Sequence, residues 1–122
     1  MKKILLVEDD EMLLKSLSYY LQMNQFEVLP YDNGADALAL LHQEIDVIDL
    51  IITDLNLPFA GGQQIIESVR KEKKSKLPVI VLTASGIEST ELEMLELGAD
   101  EFISKPFSPA ILLKRIQKLI GN

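Results

Sequence analysis

DLIITDLNLP, residues 49–58, holds the pattern on which the fold turns. Leu50, Ile51 and Ile52 form a short apolar run that stops at Thr53 and Asp54, and the next punctuation is Pro58, followed by Gly61 and Gly62. A buried strand that ends on a carboxylate and opens into a Pro/Gly loop puts that carboxylate at the strand's C-terminal edge. In open α/β sheets that edge is where ligands bind. Asp54 is therefore the first candidate functional residue.

Working outward, the same grammar repeats. Lys3–Val7 reads as a buried strand that stops at Glu8, Asp9 and Asp10, and from Glu11 the residues Met12, Leu13, Leu14, Leu17 and Leu21 recur at helical spacing to about Met23. Glu27–Tyr31 reads as a second strand. Asn33 is placed to cap a helix carrying Ala37, Leu38 and Leu41. The third strand is Ile48–Thr53, and the helix after Gly62 turns Ile65, Ile66 and Val69 inward, with a solvated charged tail at Arg70–Lys76. Leu77–Leu82 is the fourth strand, with Pro78 at its start, where a missing N–H is tolerated. Thr90 and Glu93 have capping-box spacing for a helix that turns Leu92 and Leu95 inward and stops at Gly98. Glu101–Ser104 is the fifth strand. The last helix runs from Pro109 to Gly121 on a stripe of Leu112, Leu113, Ile116, Leu119 and Ile120. Short apolar strands alternating with amphipathic helices imply a doubly wound parallel sheet covered on both faces.

Composition narrows the function. The 122 residues fit one domain, spanning 1–122, with no second, output domain within the chain. A net charge of −7 argues against direct contact with nucleic acid and favours a cation or a basic partner surface. The absence of cysteine excludes disulfides and thiolate chemistry. Ile4–Val7 is too short for a signal-peptide core of roughly 7–15 residues, no run approaches the roughly 18 apolar residues of a membrane span, and the expected location is the cytoplasm.

The strand ends carry the chemistry. Glu8 and Asp9 follow the first strand, Asp54 the third, Thr83 the fourth and Lys105 the fifth, all on one edge of a parallel sheet. A single strand-end aspartate is ordinarily a cap or turn residue; four strands each ending in a complementary group form a stronger pattern. Converging carboxylates require a retained proton or a hard divalent cation, and an all-oxygen set without His or Cys suits magnesium or manganese better than zinc. A lysine and a hydroxyl aimed at the same place can hold a phosphoryl group. The implied chemistry is attack by a carboxylate on phosphorus, with the metal and Lys105 offsetting charge.

The segments KKILLVEDDEMLL, DNGADALALL, DLIITDLNLP, PVIVLTA and GADEFISKPFSPAILLKRI, in that order, resemble the receiver domain of two-component response regulators over essentially the whole chain. The resemblance implies a flavodoxin-like α/β fold, a five-stranded parallel sheet of order 2-1-3-4-5 with five helices. It implies that Asp54 accepts a phosphoryl group from a phosphohistidine on a sensor histidine kinase or phosphotransfer protein. Glu8, Asp9, Asp54 and the carbonyl of Asn56 would bind Mg2+, with Mn2+ as an alternative, while Thr83, the Ala84 N–H and Lys105 would hold the phosphoryl oxygens. A cis bond before Pro106 is implied, as is a switch pairing Thr83 with Phe102 that alters the surface of the fourth helix, fifth strand and fifth helix. The protein would turn over only its own aspartyl phosphate and would not otherwise be an enzyme.

The C-terminal segment looks most like receivers of winged-helix DNA-binding regulators, which pair through the fourth and fifth helices. Glu91, Glu93 and Glu96 are expected to face Arg115 and Lys118 across a two-fold homodimer contact, with Ile111 standing where relatives carry an acidic partner. The loop after Pro58 also departs from the family, since Gly61 stands where a capping Asp is usual. His42, the only histidine, sits on the second helix away from the functional edge. Two rival readings are an Mg-dependent phosphohydrolase with an aspartyl nucleophile, which would place that aspartate after the first strand, and a degenerate receiver that only binds partners.

Overall fold

Strand and helix alternate in the computed structural model, which describes residues 1–84 and 87–121. The strands β1 (Lys2–Val7), β2 (Phe26–Tyr31), β3 (Leu50–Asp54), β4 (Val79–Thr83) and β5 (Glu101–Ser104) pair in parallel in the order β2-β1-β3-β4-β5. Every residue of β3 and β4 is buried, which explains why these strands read as continuous apolar runs without alternation. The helices are α1 (Glu11–Met23), α2 (Gly34–Glu44), α3 (Gly62–Glu67), α4 (Glu88–Leu97) and α5 (Pro109–Ile120).

The pleat divides the core in two. Ile4, Leu6, Leu50, Ile52, Ile80 and Leu82 pack with Leu17 and Leu21 of α1 and Leu112 and Ile116 of α5. Leu5, Val7, Ile51, Val79 and Val81 turn to the other face, where Ala37 and Leu41 of α2, Ile65 and Ile66 of α3 and Met94 of α4 cover them. Local caps fix where the helices start. The Asp10 carboxylate accepts from the Met12 and Leu13 N–H groups, Asn33 accepts from Asp36 N–H, and the Ser108 hydroxyl accepts from Ile111 N–H ahead of a first-turn proline. At Gly61 the missing capping carboxylate is half replaced, because its N–H donates to Gln64 Oε1 at 2.9 Å.

Several expectations are corrected. The third strand begins at Leu50, after a 3-10 turn at Ile45–Val47, and the fourth at Val79, so both carry their functional residue inside the strand's last position. Helix α4 starts at Glu88 with Ile87 as an N-cap that makes no side-chain bond, so Thr90 and Glu93 do not form a capping box. Its core side is Met94 and Leu97, while Leu92 and Leu95 are 56% and 39% exposed. At ~100° per residue, Leu92 and Leu95 lie ~200° and ~100° from Met94 around the axis, and so off the core side.

The tail after α3 is not a solvated run throughout. A π-helical segment, Ser68–Glu72, continues α3 and buries Val69. The guanidinium of Arg70 then donates to the carbonyls of Ser75, Leu77 and Gly98 and to the Asp100 carboxylate. Gly98, at φ 120, closes α4 against this clamp, and a Cβ there would meet the Arg70 side chain at 2.9 Å.

Candidate functional site: an acidic cluster closed by a lysine

Three strand ends build the site. The Glu8 N–H donates to the Tyr31 carbonyl, continuing the β1–β2 ladder by one residue and leaving the side chain 1% exposed beneath the edge. Asp9 follows on the surface. Asp54 closes β3 and is 7% exposed. Carboxylate oxygens of Glu8, Asp9 and Asp54 all lie within 4.8 Å of one another. Lys105, one residue beyond β5, is fixed by its N–H to the Thr83 carbonyl at 2.7 Å, and its Nζ reaches Glu8 Oε1 at 2.5 Å and Asp54 Oδ2 at 2.7 Å.

Backbone donors complete the cluster. Glu8 Oε2 accepts from the Asp10 N–H at 3.0 Å, and Asp54 Oδ1 from the Asn56 N–H at 3.3 Å. Burial pushes the Glu8 carboxyl above its ordinary value of 4.5 and the neighbouring Asp54 charge adds to this, against the hydrogen bonds from Lys105 and Asp10. For Lys105, burial alone would pull the ammonium down. Its hydrogen bonds to the Asp54 and Glu8 carboxylates outweigh that and hold it above 10.5. Three carboxylates with one ammonium leave net negative charge in a partly buried place, an all-oxygen donor set that fits a hard divalent cation.

The other expected residues are distributed as follows. Thr83 is fully buried at the end of β4, and Ala84 is exposed just beyond it. Thr83 shares a sheet face with Val81, and Phe102, opposite Val81 in register, is half-buried against the core beneath α4. The Lys105–Pro106 bond is cis. His42 lies exposed on α2, its carbonyl accepting from Lys73 Nζ at 3.3 Å.

The expected grouping on α4 is corrected. Glu93 lines a groove with Thr90, Met94, Asn56 and Gln64, toward α3 rather than α5. Glu91 borders Leu92 and Leu95 on the outer surface instead; two residues of helix separate these glutamates by ~200°. Ile111 is 57% exposed, and Arg115 is already paired with Glu101 of the same chain. Sequence reasoning missed two positions: the Arg70 clamp, whose acceptors lie up to 30 residues away, and Phe59, whose left-handed backbone carries no marker in its residue type.

A parallel sheet of this order whose edge gathers three carboxylates and a lysine defines the receiver class of signalling domain. The chain belongs to the family described as the response regulator receiver domain, whose pattern matches residues 4–117. It is 40% identical over 120 residues to the transcriptional regulatory protein CpxR of Klebsiella pneumoniae, covering 98% of this chain and 50% of CpxR. The receiver domain of HemR from Leptospira biflexa superimposes with a TM-score of 0.89 at 35% identity, covering 100% of this chain and 96% of that one. The beryllofluoride-activated receiver domain of Klebsiella pneumoniae RstA does so with a TM-score of 0.89 at 27% identity, covering 99% and 100%. The chain spans about half the length of the curated relatives it matches. Proteins of this family act as switches in two-component systems and partner with sensor kinases. No helix among the described residues is long and apolar enough to cross a membrane.

Proposed function

We propose that Asp54 accepts a phosphoryl group from a phosphohistidine on a sensor kinase or phosphotransfer protein, in the cytoplasm and with the help of Mg2+. The observation that carries this reading is the Lys105 ammonium held between the Asp54 and Glu8 carboxylates at 2.7 and 2.5 Å. It stands where the oxygens of a phosphoryl group on Asp54 would lie, and where its charge would oppose theirs. Glu8, Asp9, Asp54 and the Asn56 carbonyl would hold the ion, which when bound supplies further positive charge to the transferring group.

In the transfer an Asp54 carboxylate oxygen attacks phosphorus, the P–N bond to the donor imidazole breaks as the P–O bond forms, and the imidazole leaves with the bonding pair. Lys105 moves its hydrogen bonds from carboxylate to phosphoryl oxygen. The Thr83 hydroxyl and the Ala84 N–H, at the end of the adjacent strand, take the remaining oxygens. Drawing Thr83 toward the phosphoryl group would open space on the face it shares with Phe102, and the ring would shift inward, altering the surface of α4, β5 and α5. Intact mass after incubation with acetyl phosphate and magnesium tests the chemistry. The expected result is one labile phosphoryl adduct on the wild type, absent from Asp54→Ala and from metal-free samples. No adduct under any condition would sink the phosphoacceptor assignment.

A further inference from the structure

The loop between β3 and α3 contains a contradiction in energy terms. The Ala60 N–H donates to the Pro58 carbonyl at 2.9 Å, closing a three-residue turn whose centre, Phe59, has φ 70. A γ-turn of this hand is rare and strained, and a bulky residue at positive φ is a conformational outlier. Neighbours on both sides impose it. The Gly34 N–H donates to the Pro58 carbonyl at 3.2 Å, and α2 starts so close that a Cβ on Gly34 would fall 1.8 Å from the Ala60 carbonyl oxygen. On the far side the Gly62 N–H donates to Leu55 O at 2.9 Å. The backbone of Phe59 is thus pinned while its ring is 90% exposed, the most exposed large apolar side chain among the described residues. Glycine or asparagine would take this backbone more readily and would expose no apolar ring. Strain that persists in a pinned loop beside a reactive carboxylate points to use of the side chain.

The surroundings define what could cover the ring. Exposed Asp32 and Asp36 flank Asn33 at the start of α2, bonded through its amide, and exposed Asp9 stands at the acidic cluster. Asp9 lines the groove at the foot of this loop with Pro58 and Gly61, and on a chain of net charge −7 an exposed ring carried by that loop fits an apolar socket rimmed by basic side chains. Resting on the phosphoacceptor reading above, we propose that Phe59 is the aromatic anchor by which the phosphoryl-donating protein docks over Asp54. The pinned turn presents the ring in one orientation, so little freedom is lost when it enters the socket.

Phosphotransfer kinetics test this directly. The donors are the purified histidine-bearing domains of the sensor kinases of the source organism, labelled from radioactive ATP, with acetyl phosphate as the partner-free donor. Phe59→Asn keeps a residue that tolerates the left-handed backbone and removes the ring. Val47→Asn removes an apolar side chain that is 48% exposed at the opposite edge of the sheet. Transfer from the preferred kinase is expected to fall about tenfold or more in Phe59→Asn, as for loss of an aromatic anchor, with acetyl phosphate labelling unchanged and Val47→Asn like wild type on both. Unchanged kinase transfer in Phe59→Asn overturns the inference, as does an equal loss in Val47→Asn. Labelling by acetyl phosphate without transfer from any kinase overturns it while leaving Asp54 as the acceptor. Labelling of the wild type by neither donor overturns both.

Discussion

Lys105 is the residue on which the metal-free site balances. Its side chain is 19% exposed, and the carboxylates it bridges are 1% and 10% exposed at Glu8 and Asp54. Removing one partner of such a buried set leaves charge uncompensated, so Lys105→Met is expected to lower metal-free stability by about 3 kcal/mol, at the low end for a buried pair because Glu8 can take up a proton instead. Magnesium should then raise the melting temperature more in the variant than in wild type, since no ammonium must be moved aside. Equal magnesium shifts in thermal melts would contradict the shared use of Glu8. The raised Glu8 carboxyl makes a second, signed prediction. A group with a folded pKa above its unfolded value stabilises the fold below the unfolded value, here 4.5, and loses that contribution as pH rises through the folded one. The metal-free stability of wild type relative to Glu8→Gln should therefore decline as pH rises from about 4.5 toward neutrality. Lys105 acts in the same direction, but only above 10.5. Urea titrations across that range decide it, and a rising difference would refute the assignment of the shift to burial. These residues were legible because each closes a strand, and strand ends are marked by abrupt changes from apolar to polar.

Helices divide more sharply into the legible and the hidden. The apolar stripes of α1 and α5 are dense, and Leu17, Leu21, Leu112 and Ile116 are buried as their spacing requires, whereas Met12, in the first turn of α1, falls off the stripe and is exposed. Helix α4 is short and acidic, with Met94 its only fully buried side chain, and several faces of such a helix look equally apolar from sequence. What orients it lies outside it. The Arg70 guanidinium holds the Gly98 carbonyl through Nε at 3.1 Å and Nη2 at 2.9 Å, and Asp100 is shared between Arg70 and the Val79 N–H. No local spacing encodes a contact between the tail of one helix and the terminus of the next. Arg70→Met would take the guanidinium from three carbonyls and leave Asp100 with the Val79 N–H alone, at an expected cost of about 2–4 kcal/mol. Arg70→Lys should recover only part of it, because an ammonium cannot reproduce the planar fork. Denaturant unfolding of the two variants checks the order. A loss below about 0.5 kcal/mol in Arg70→Met, the range of an ordinary surface change, would show that the clamp does not anchor α4.

At the scale of the whole molecule, a net charge of −7 opposes association unless opposite charges meet locally. Outward-facing Leu92, Leu95 and Ile111 provide apolar area, with Glu91 and Glu96 on α4 and Lys114 and Lys118 on α5 to set its register. A two-fold axis between two copies would bring the acidic helix of each against the basic helix of the other. Arg115 complicates this arrangement, because it is spent on Glu101 within one chain and would have to exchange partners for the contact to use it. Such an exchange would free the Glu101 side chain on β5, the strand that also carries Phe102. The expected outcome is a monomeric mass by sedimentation without a phosphoryl mimic and a dimer with beryllofluoride and magnesium. Lys118→Glu should weaken that dimer about tenfold, and added salt should weaken it further, as for a contact set by charge. A monomer at saturating mimic would remove the homodimer, and the altered α4–β5–α5 surface would then have to be read by a different protein.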